Sequence, residues 1–308
     1  MTCRECYENG KKKLGQTGIV EAETDARLLL EQLCGLSFHD LLAHGDRELP
    51  ERSRQLYEAA LALRERRIPL QRILGTQDFM GLTFLVNGQV LIPRQDTEIL
   101  VEEALRELHD GMRILDLCTG SGCVLISLLR YSSGCRGVGT DISPQALAVA
   151  KENAGRILGG PSQSGAGEAA GRMPGGPAPA GAEAAADWIR SDMWENVDGV
   201  FDLIVSNPPY IRTRDIPGLM PEVRLHEPIQ ALDGGEDGLA FYRNIISGSR
   251  AYLAREGKLF LEIGYDQARS IVGQMEEAGF SGIRVVKDYG GRDRVVRGVL
   301  GKDGSEDV

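Results

Sequence analysis

From about residue 94 onward, short apolar runs alternate with stretches of helical periodicity, and this alternation constrains the fold more than any other feature. The apolar runs are Arg113 to Asp116, Gly137 to Asp141, Phe201 to Ser206 and Lys258 to Ile263. Runs of this kind are typical of parallel strands that are covered on both faces. The alternation therefore predicts a doubly wound α/β sheet.

Helices are predicted where apolar residues recur every three or four positions between those runs. The segments with this spacing are Asp96 to His109, Gly122 to Tyr131, Pro144 to Asn153, Leu239 to Ala254 and Gln267 to Ala278. Two further β-rich runs complete the domain, Ile283 to Val286 and Arg294 to Leu300.

The N-terminal part of the chain has a different pattern. Glu21 to Leu33 and Glu51 to Arg67 have the spacing of amphipathic helices, so we expect a small helical unit. After it, Phe79 to Val86 and Val90 to Ile92 are β-rich and flank Asn87-Gly88, a dipeptide typical of two-residue hairpin turns. These features predict a helical domain followed by a β-hairpin.

We accordingly divide the chain into a helical domain over residues 1–75, a hairpin linker over 76–93 and an α/β domain over 94–308. Residues 155–187 interrupt the last of these with a stretch rich in Gly, Ala, Pro and Ser. Because it has almost no large apolar side chains, burial cannot offset the entropy lost on ordering. We predict a flexible surface insertion.

Composition limits the partners of the protein. With 35 Lys and Arg against 45 Asp and Glu, the formal charge is -10, which disfavours direct nucleic-acid binding. No stretch is long and apolar enough to cross a membrane, and the first 15 residues lack the apolar core of a secretory signal. We expect a cytoplasmic protein that does not bind a membrane.

The six cysteines are irregularly spaced, so we predict free thiols rather than a disulfide framework. Cys3-x-x-Cys6 offers two zinc ligands, but no second paired motif completes the usual four. No metal site is expected.

Residues Ile114 to Cys123 have the pattern of a strand, a glycine turn and a helix. Gly120 and Gly122 let a ligand approach the backbone at the carboxyl edge of the sheet, where open α/β folds bind ligands. A dinucleotide-binding turn would have a third glycine at position 125, which is Leu. Asp141 ends the next strand, at the position where a carboxylate accepts hydrogen bonds from ribose hydroxyls. A nucleoside cofactor without a pyrophosphate fits this pattern, although Asp141 could also serve as a helix N-terminal charge.

The run Asp202 to Tyr210 delivers Asn207-Pro208-Pro209-Tyr210 to the same edge of the sheet. Prolines donate no backbone hydrogen bond, so their carbonyls and the side-chain oxygen of Asn207 are acceptors for a substrate NH2 group. Holding both amide protons would aim the nitrogen lone pair at a methyl donor, and the ring of Tyr210 could stack on the substrate. No general base is assigned, because an amide proton becomes acidic once the methyl group is attached. The alternative is a rigid loop at a strand exit.

The Asn-Pro-Pro-Tyr motif after a glycine turn resembles the amino-group methyltransferases, and the wider pattern resembles the release factor glutamine methyltransferases. The other stretches similar to that family are Leu91 to Glu98, His226-Glu227-Pro228, Ala231-Leu232, Gly235 to Leu239, Leu261 to Gly264 and Asp288 to Arg294. Together they span nearly the whole chain outside the insertion.

This resemblance implies a class I, Rossmann-like fold with a seven-stranded, mainly parallel sheet. It also implies N5-methylation of the glutamine in the Gly-Gly-Gln motif of peptide chain release factors by S-adenosyl-L-methionine, with the helical domain docking the protein substrate. The cofactor-binding residues it implies are Cys118, Thr119, Gly120, Ser121, Gly122, Asp141, Met193 and Asn207. The substrate-binding residues are Asn207, Pro208, Pro209 and Tyr210, of which Asn207, Pro208 and Tyr210 are the catalytic candidates.

The sequence departs from the family pattern at three positions. Cys118 replaces a usual Gly, Met193 a common aromatic residue, and Gln95 a frequent Pro. None of these changes removes an essential hydrogen bond. Asp96 and Glu98 are interpreted as charges that complement the N-terminus of the following helix.

Three alternatives remain open from the sequence. The same chemistry could act on a glutamine of a ribosomal protein or on an adenine amino group in nucleic acid, although the acidic composition disfavours the latter. In a different class, the chain could be a catalytically silent binding module on the translation machinery, since a fold alone does not prove a function.

Overall fold

The structure is a computed structural model that describes residues 1–159 and 185–301. It divides into two compact units, one of Met1–Thr76 with Leu219–His226 and one of the described residues within Gln77–Gly218 and Glu227–Val308. Most of the predicted insertion, residues 160–184, lies outside the described residues.

Eleven helices and nine strands form the described part of the chain. The helices are α1 (Cys3–Gln16), α2 (Ala22–Cys34), α3 (Phe38–His44), α4 (Glu51–Glu65), α5 (Leu70–Leu74), α6 (Glu98–Leu105), α7 (Cys123–Arg130), α8 (Pro144–Ile157), α9 (Pro221–Arg224), α10 (Ala240–Ser249) and α11 (Ala268–Glu277). The strands are β1 (Thr76–Phe79), β2 (Leu82–Leu85), β3 (Arg113–Leu117), β4 (Arg136–Asp141), β5 (Ala185–Arg190), β6 (Phe201–Ser206), β7 (Leu253–Glu262), β8 (Phe280–Lys287) and β9 (Asp293–Leu300).

The first unit is a helical bundle formed by α1 to α5 together with α9. Its core contains Leu14, Leu29 and Leu30, whose side chains are fully or almost fully buried. Capping boxes at Thr2 and Ser37 fix where α1 and α3 begin, because each hydroxyl and the acidic residue three positions later satisfy free backbone N–H groups.

A buried ion-pair network crosses this first unit. Arg64 on α4 pairs with Asp25 on α2 at 2.7 Å and with Glu222 on α9 at 3.0 Å. Arg67 pairs with the second oxygen of Glu222 at 2.8 Å. Because each of these charges has a partner, the network can be buried without isolating a charge. It ties the distant segment Leu219–His226 to the helices.

The second unit contains a seven-stranded sheet with the order β5-β4-β3-β6-β7-β9-β8. All pairings from β5 to β7 are parallel, and β9 is antiparallel to both β7 and β8. Side chains of the central strands alternate between two apolar cores, with Ile114 in one and Leu115 in the other. Helices α6 and α7 contribute to the first core, and α10 and α11 to the second. The prediction of a doubly wound, mainly parallel sheet is confirmed.

The predicted pairing of Phe79 to Val86 with Val90 to Ile92 is wrong, and a hairpin forms earlier in the chain, between β1 and β2. The chain reverses at Met80-Gly81, which have φ values of 51° and 70°, between β1 and β2. Two successive positive φ values are typical of a type I′ turn. At Asn87 the side chain instead accepts a hydrogen bond from the N–H of Gln89 at 2.9 Å, so this dipeptide forms a local turn and no strand follows it.

Several predicted boundaries were also wrong. Helix α10 ends at Ser249, and the residues predicted to continue it enter β7, which begins at Leu253 rather than Lys258. Helix α6 ends at Leu105 and not at His109. The predicted insertion overlaps regular structure at both ends, because α8 continues to Ile157 and β5 begins at Ala185. Strand β5 lacks an apolar run because it lies at the sheet edge.

All six cysteines are free thiols, and Cys3 and Cys6 lie buried in the helical core. Among the described residues, no helix is both long and apolar enough to span a bilayer.

Candidate active site

A cavity of about 630 Å³ lies in the second unit. Its walls include the segments that follow β3, β4, β5 and β6. Between β3 and β6 the strand order reverses, since the chain runs from β3 to β4 on one side and returns to place β6 on the other. The carboxyl end of such a switch point is where open α/β sheets bind ligands, and the volume suits a small organic molecule.

The glycine turn after β3 is held by an internal hydrogen bond. Asp116 is almost fully buried, and the hydroxyl of Thr119 donates to its carboxylate at 2.6 Å. Burial raises the pKa of Asp116 to about 7, and the Thr119 hydrogen bond offsets part of this increase. Cys118 and Gly120 have φ values of 60° and 56°. The backbone therefore makes a tight turn that exposes its edge to the cavity.

The two glycines of this turn have different physical roles. A Cβ at Gly122, where φ is 79°, would lie 2.9 Å from both the Ile126 and the Trp188 side chains. A Cβ at Gly120 would have no protein atom within 4 Å, and Gly120 lines the cavity. Gly122 thus permits close packing of helix α7, whereas Gly120 leaves room beside the backbone.

We expect Gly122→Ala to lower the midpoint of thermal unfolding more than Gly120→Ala does. Both changes place a side chain at positive φ, which costs about 1–2 kcal/mol. Only the change at Gly122 adds a collision with Ile126 and Trp188. Scanning calorimetry of the two variants measures the difference, and equal midpoints would contradict the packing role of Gly122.

Asp141, at the end of β4, uses both carboxylate oxygens to organise neighbouring turns. One oxygen accepts from the N–H of Gly120 at 3.0 Å and the other from the N–H of Ser143 at 2.9 Å. Burial raises the pKa of Asp141, while these backbone hydrogen bonds lower it. The residue lines the cavity, so its remaining lone pairs can accept hydrogen bonds from a ligand.

Asn207 follows β6 directly and lines the same cavity. Its side-chain Nδ2 donates to the hydroxyl oxygen of Thr97 at 3.2 Å, and the amide also interacts with the buried carboxylate of Glu262 and offsets part of the rise in its pKa. Among the described residues, no donor bonds to the side-chain oxygen of Asn207, so this oxygen is free to act as an acceptor. Its role toward a substrate stays a prediction.

Close backbone packing fixes the loop that begins at Asn207. A Cβ at Gly234 would lie 2.7 Å from the Cα of Tyr210, and a Cβ at Gly238 would lie 2.5 Å from the carbonyl oxygen of Tyr210. The Gln267 side chain donates to that same carbonyl at 3.0 Å. Residues 234–238 and Gln267 therefore form a rigid support for the Pro-Pro turn.

Comparison with known proteins agrees with this site. Residues 5–75 match the family model described as PrmC N-terminal domain. The release factor glutamine methyltransferase of Geobacter sulfurreducens is 38% identical over 301 residues, which cover 97% of each chain. The chain belongs to the release factor glutamine methyltransferase family. The member of this family from Agrobacterium fabrum is 37% identical over 292 residues, covering 93% of each chain.

Solved structures support the fold. A methyltransferase from Pyrococcus furiosus aligns with a TM-score of 0.51 at 16% identity, covering 82% of this chain and 98% of the other. At this identity the likeness concerns the fold alone. The seven-stranded, mainly parallel sheet of this chain agrees with the fold expected from the sequence.

Most of the predicted site residues lie in the cavity wall. Those that line it are Cys118, Thr119, Gly120, Ser121, Asp141, Met193, Asn207 and Pro209. Gly122, Pro208 and Tyr210 lie beside the wall. Burial raises the pKa of Tyr210 to about 12, and its ring packs against the second apolar core. The roles of all these residues remain predictions.

The site also includes residues that were not predicted as site residues from the sequence. Phe241 on α10 and Asp233 line the cavity, and Arg94 is the one Lys or Arg among the described lining residues. Glu227, from the His-Glu-Pro motif, accepts from the Arg94 guanidinium at 3.0 Å. Their spacing has no period that could reveal the site, since they come from separate segments of the chain.

Asp96 and Glu98 lie in the first turns of two successive helices, as predicted, and each also has a specific partner. Asp96 pairs with Arg294 on β9 at 3.0 Å, and Glu98 accepts from the N–H of Met80 at 2.6 Å. Arg294 also pairs with Asp288 at 3.0 Å. The stretch Leu91 to Glu98 is therefore anchored both to the sheet and to the hairpin turn.

Proposed function

We propose that this chain transfers a methyl group from S-adenosyl-L-methionine to the side-chain amide nitrogen, N5, of the glutamine in the Gly-Gly-Gln motif of peptide chain release factors. Family membership over nearly the full length carries the proposal. The cavity at the switch point, with Asn207 in its wall, is consistent with it.

The cavity wall suits the cofactor. The turn from Cys118 to Gly120 leaves open space where a side chain would otherwise stand, because a Cβ at Gly120 meets no protein atom within 4 Å. Asp141, in the same wall, has the acceptor oxygens that ribose hydroxyls require. When bound there, S-adenosyl-L-methionine supplies an electrophilic methyl group and is released as S-adenosyl-L-homocysteine.

The chain's own contribution to the reaction is orientation. The side-chain oxygen of Asn207 accepts one proton of the glutamine amide, and the carbonyl of Pro208 is proposed to accept the other. With both protons held, the nitrogen lone pair is aimed at the methyl group, which is catalysis by proximity and alignment. Phe241 and Met193 supply half-buried side chains to the wall. The amide proton leaves after methylation, when it has become acidic, so no base is needed.

The helical first unit is proposed to dock the release factor. Its residues 5–75 match the model described as PrmC N-terminal domain. The ion pairs of Glu222 with Arg64 and Arg67 lie within this unit and hold its segment Leu219–His226 against helix α4 and the residues that follow it. No membrane or nucleic-acid partner is proposed.

The test is methyl transfer from labelled S-adenosyl-L-methionine to a purified release factor. Its Gln→Ala variant in the Gly-Gly-Gln motif, ribosomal proteins and bare RNA and DNA are compared at physiological salt. We expect label on the native release factor alone. Label confined to a ribosomal protein or nucleic acid would reassign the substrate, and label on none would favour a silent binding module.

A further inference from the structure

A buried carboxyl group lies behind the site without forming part of the cavity wall. Glu262 ends β7, whose Leu261 pairs with Ser206, the residue before Asn207. Its residue surface is only 2% exposed, and one carboxylate oxygen, Oε2, has no hydrogen-bond partner. A buried acceptor without a hydrogen-bond partner lowers the stability of the fold, so the presence of Glu262 at this position needs an explanation other than stability.

The other contacts of Glu262 lead directly to the proposed catalytic side chain. The side chains of Thr97 and Asn207 both interact with its carboxylate and offset part of the rise in its pKa. Thr97 accepts a hydrogen bond from Nδ2 of Asn207 at 3.2 Å. Because only the NH2 end of an amide can stabilise a carboxylate, the three side chains form a triangle in which Nδ2 of Asn207 faces both Thr97 and Glu262.

This triangle decides which end of the Asn207 amide faces the substrate. If the amide were turned over, its oxygen would face the ionised carboxylate with no proton between the two acceptors. The amide of Asn207 is thereby restricted to one of its two orientations. Among the described residues, no donor bonds to the side-chain oxygen of Asn207, so this atom is available to a ligand.

We infer that Glu262 is a positioning residue for methyl transfer, whose ionised carboxylate holds the oxygen of Asn207 toward the substrate nitrogen. The inference rests on the proposed function. Glu262 acts through Asn207 and does not touch the substrate, so it differs from the residues of the Asn-Pro-Pro-Tyr motif.

A dependence on pH follows from this geometry. Burial raises the pKa of Glu262 to about 7 from a usual value of 4.5, and the Thr97 hydrogen bond offsets part of the increase. The ionised form is therefore lost as the pH falls through neutrality. A protonated Glu262 can donate a hydrogen bond to the side-chain oxygen of Asn207, which permits the reversed orientation of the Asn207 amide. In that orientation the NH2 group of Asn207 faces the substrate NH2, and no acceptor is left to orient the substrate. Turnover should decline on acidification.

Other ionisable groups surround Glu262. Those that interact with it electrostatically are Asp96 before α6, Cys123 on α7, Tyr210 after β6, Tyr242 on α10 and Arg294 on β9. Burial raises the pKa of Cys123 to about 12 and that of Tyr210 to about 12. Burial likewise raises the pKa of Tyr242, and Arg294 remains a cation.

The test compares the pH profiles of kcat and KM for the native enzyme, Glu262→Gln and Glu103→Gln. Glu103 is a buried carboxylate on α6 that pairs with Arg297, away from the cavity. The native kcat should fall about tenfold for each pH unit below the midpoint near 7. Glu262→Gln should lower kcat at pH 8 about tenfold, flatten the profile and leave KM unchanged. Glu103→Gln should keep the native midpoint.

Two results would overturn the inference. One is a kcat of the Glu262→Gln variant equal to that of the native enzyme. The other is a lowered kcat of this variant with the pH midpoint of the native enzyme, which is the result expected if Glu262 has a purely structural role. If the native enzyme labels no release factor at any pH, the proposed function itself is wrong.

A second measurement requires no substrate. The side-chain amide NMR signals of Asn207, assigned by their absence from Asn207→Ala, should shift with pH around neutrality in the native enzyme. In Glu262→Gln they should not shift. Signals that titrate identically in both proteins would exclude control of Asn207 by Glu262, whatever the substrate.

Discussion

Replacing Asn207 by Ala should reduce kcat for release-factor methylation by about 100-fold or more, the scale of misalignment at a reacting centre. The change removes the acceptor that is proposed to orient the substrate amide. It leaves Asp141 and the glycine turn intact, so the affinity for S-adenosyl-L-methionine should change little. Single-turnover methyl transfer and calorimetric titration with the cofactor measure these two effects separately.

Asn244→Ala is a suitable control for that experiment. Asn244 is an exposed Asn on α10, and it does not line the cavity. Its variant should have native turnover. If Asn207→Ala retained native turnover, the proposed orientation of the glutamine amide would have to be abandoned. If it lost cofactor binding to the same degree as turnover, Asn207 would be mainly a cofactor ligand.

The second large effect is expected at Asp141. Replacing it by Ala should weaken cofactor binding about 10- to 100-fold, since hydrogen bonds to a charged group contribute about 1.5–3 kcal/mol each. The variant loses the carboxylate that is proposed to accept hydrogen bonds from the ribose. It also frees the N–H groups of Gly120 and Ser143, which the carboxylate holds at 3.0 and 2.9 Å. Equilibrium titration with S-adenosyl-L-methionine measures the effect.

Asp198→Ala provides the matched control, because Asp198 is exposed and lies outside the cavity wall. Its cofactor affinity should equal that of the native protein. At saturating cofactor, Asp141→Ala should regain much of its turnover, since the substrate acceptors are unchanged. Native cofactor affinity in Asp141→Ala would mean that the ribose binds elsewhere.

The sheet was predictable because its central strands are buried on both faces. Burial makes β3 and β6 apolar at most positions, and such runs are recognisable without any long-range information. Strand β5 was missed because it lies at the edge and follows a segment of low complexity. The hairpin turn was misplaced because Asn-Gly is the commoner signal, whereas Met80 adopts a positive φ that its residue type does not suggest.

The candidate site was predictable only where its residues adjoin in sequence. The turn from Cys118 to Gly122 and the motif from Asn207 to Tyr210 each carry their own local pattern. Thr97 and Glu262 do not, because they come from separate elements that approach Asn207 only in the folded chain. Neither residue type is unusual at its position, so only the folded structure reveals that both approach Asn207.

The most direct test of the proposed function is to locate the methyl group. A purified release factor is incubated with the enzyme and S-adenosyl-L-methionine, and the peptide containing the Gly-Gly-Gln motif is sequenced by fragmentation mass spectrometry. We predict one added methyl group on the glutamine side chain, and none when Asn207→Ala replaces the native enzyme under the same conditions. A methyl group on any other residue, or an unmodified peptide after prolonged incubation with native enzyme, would contradict the proposal.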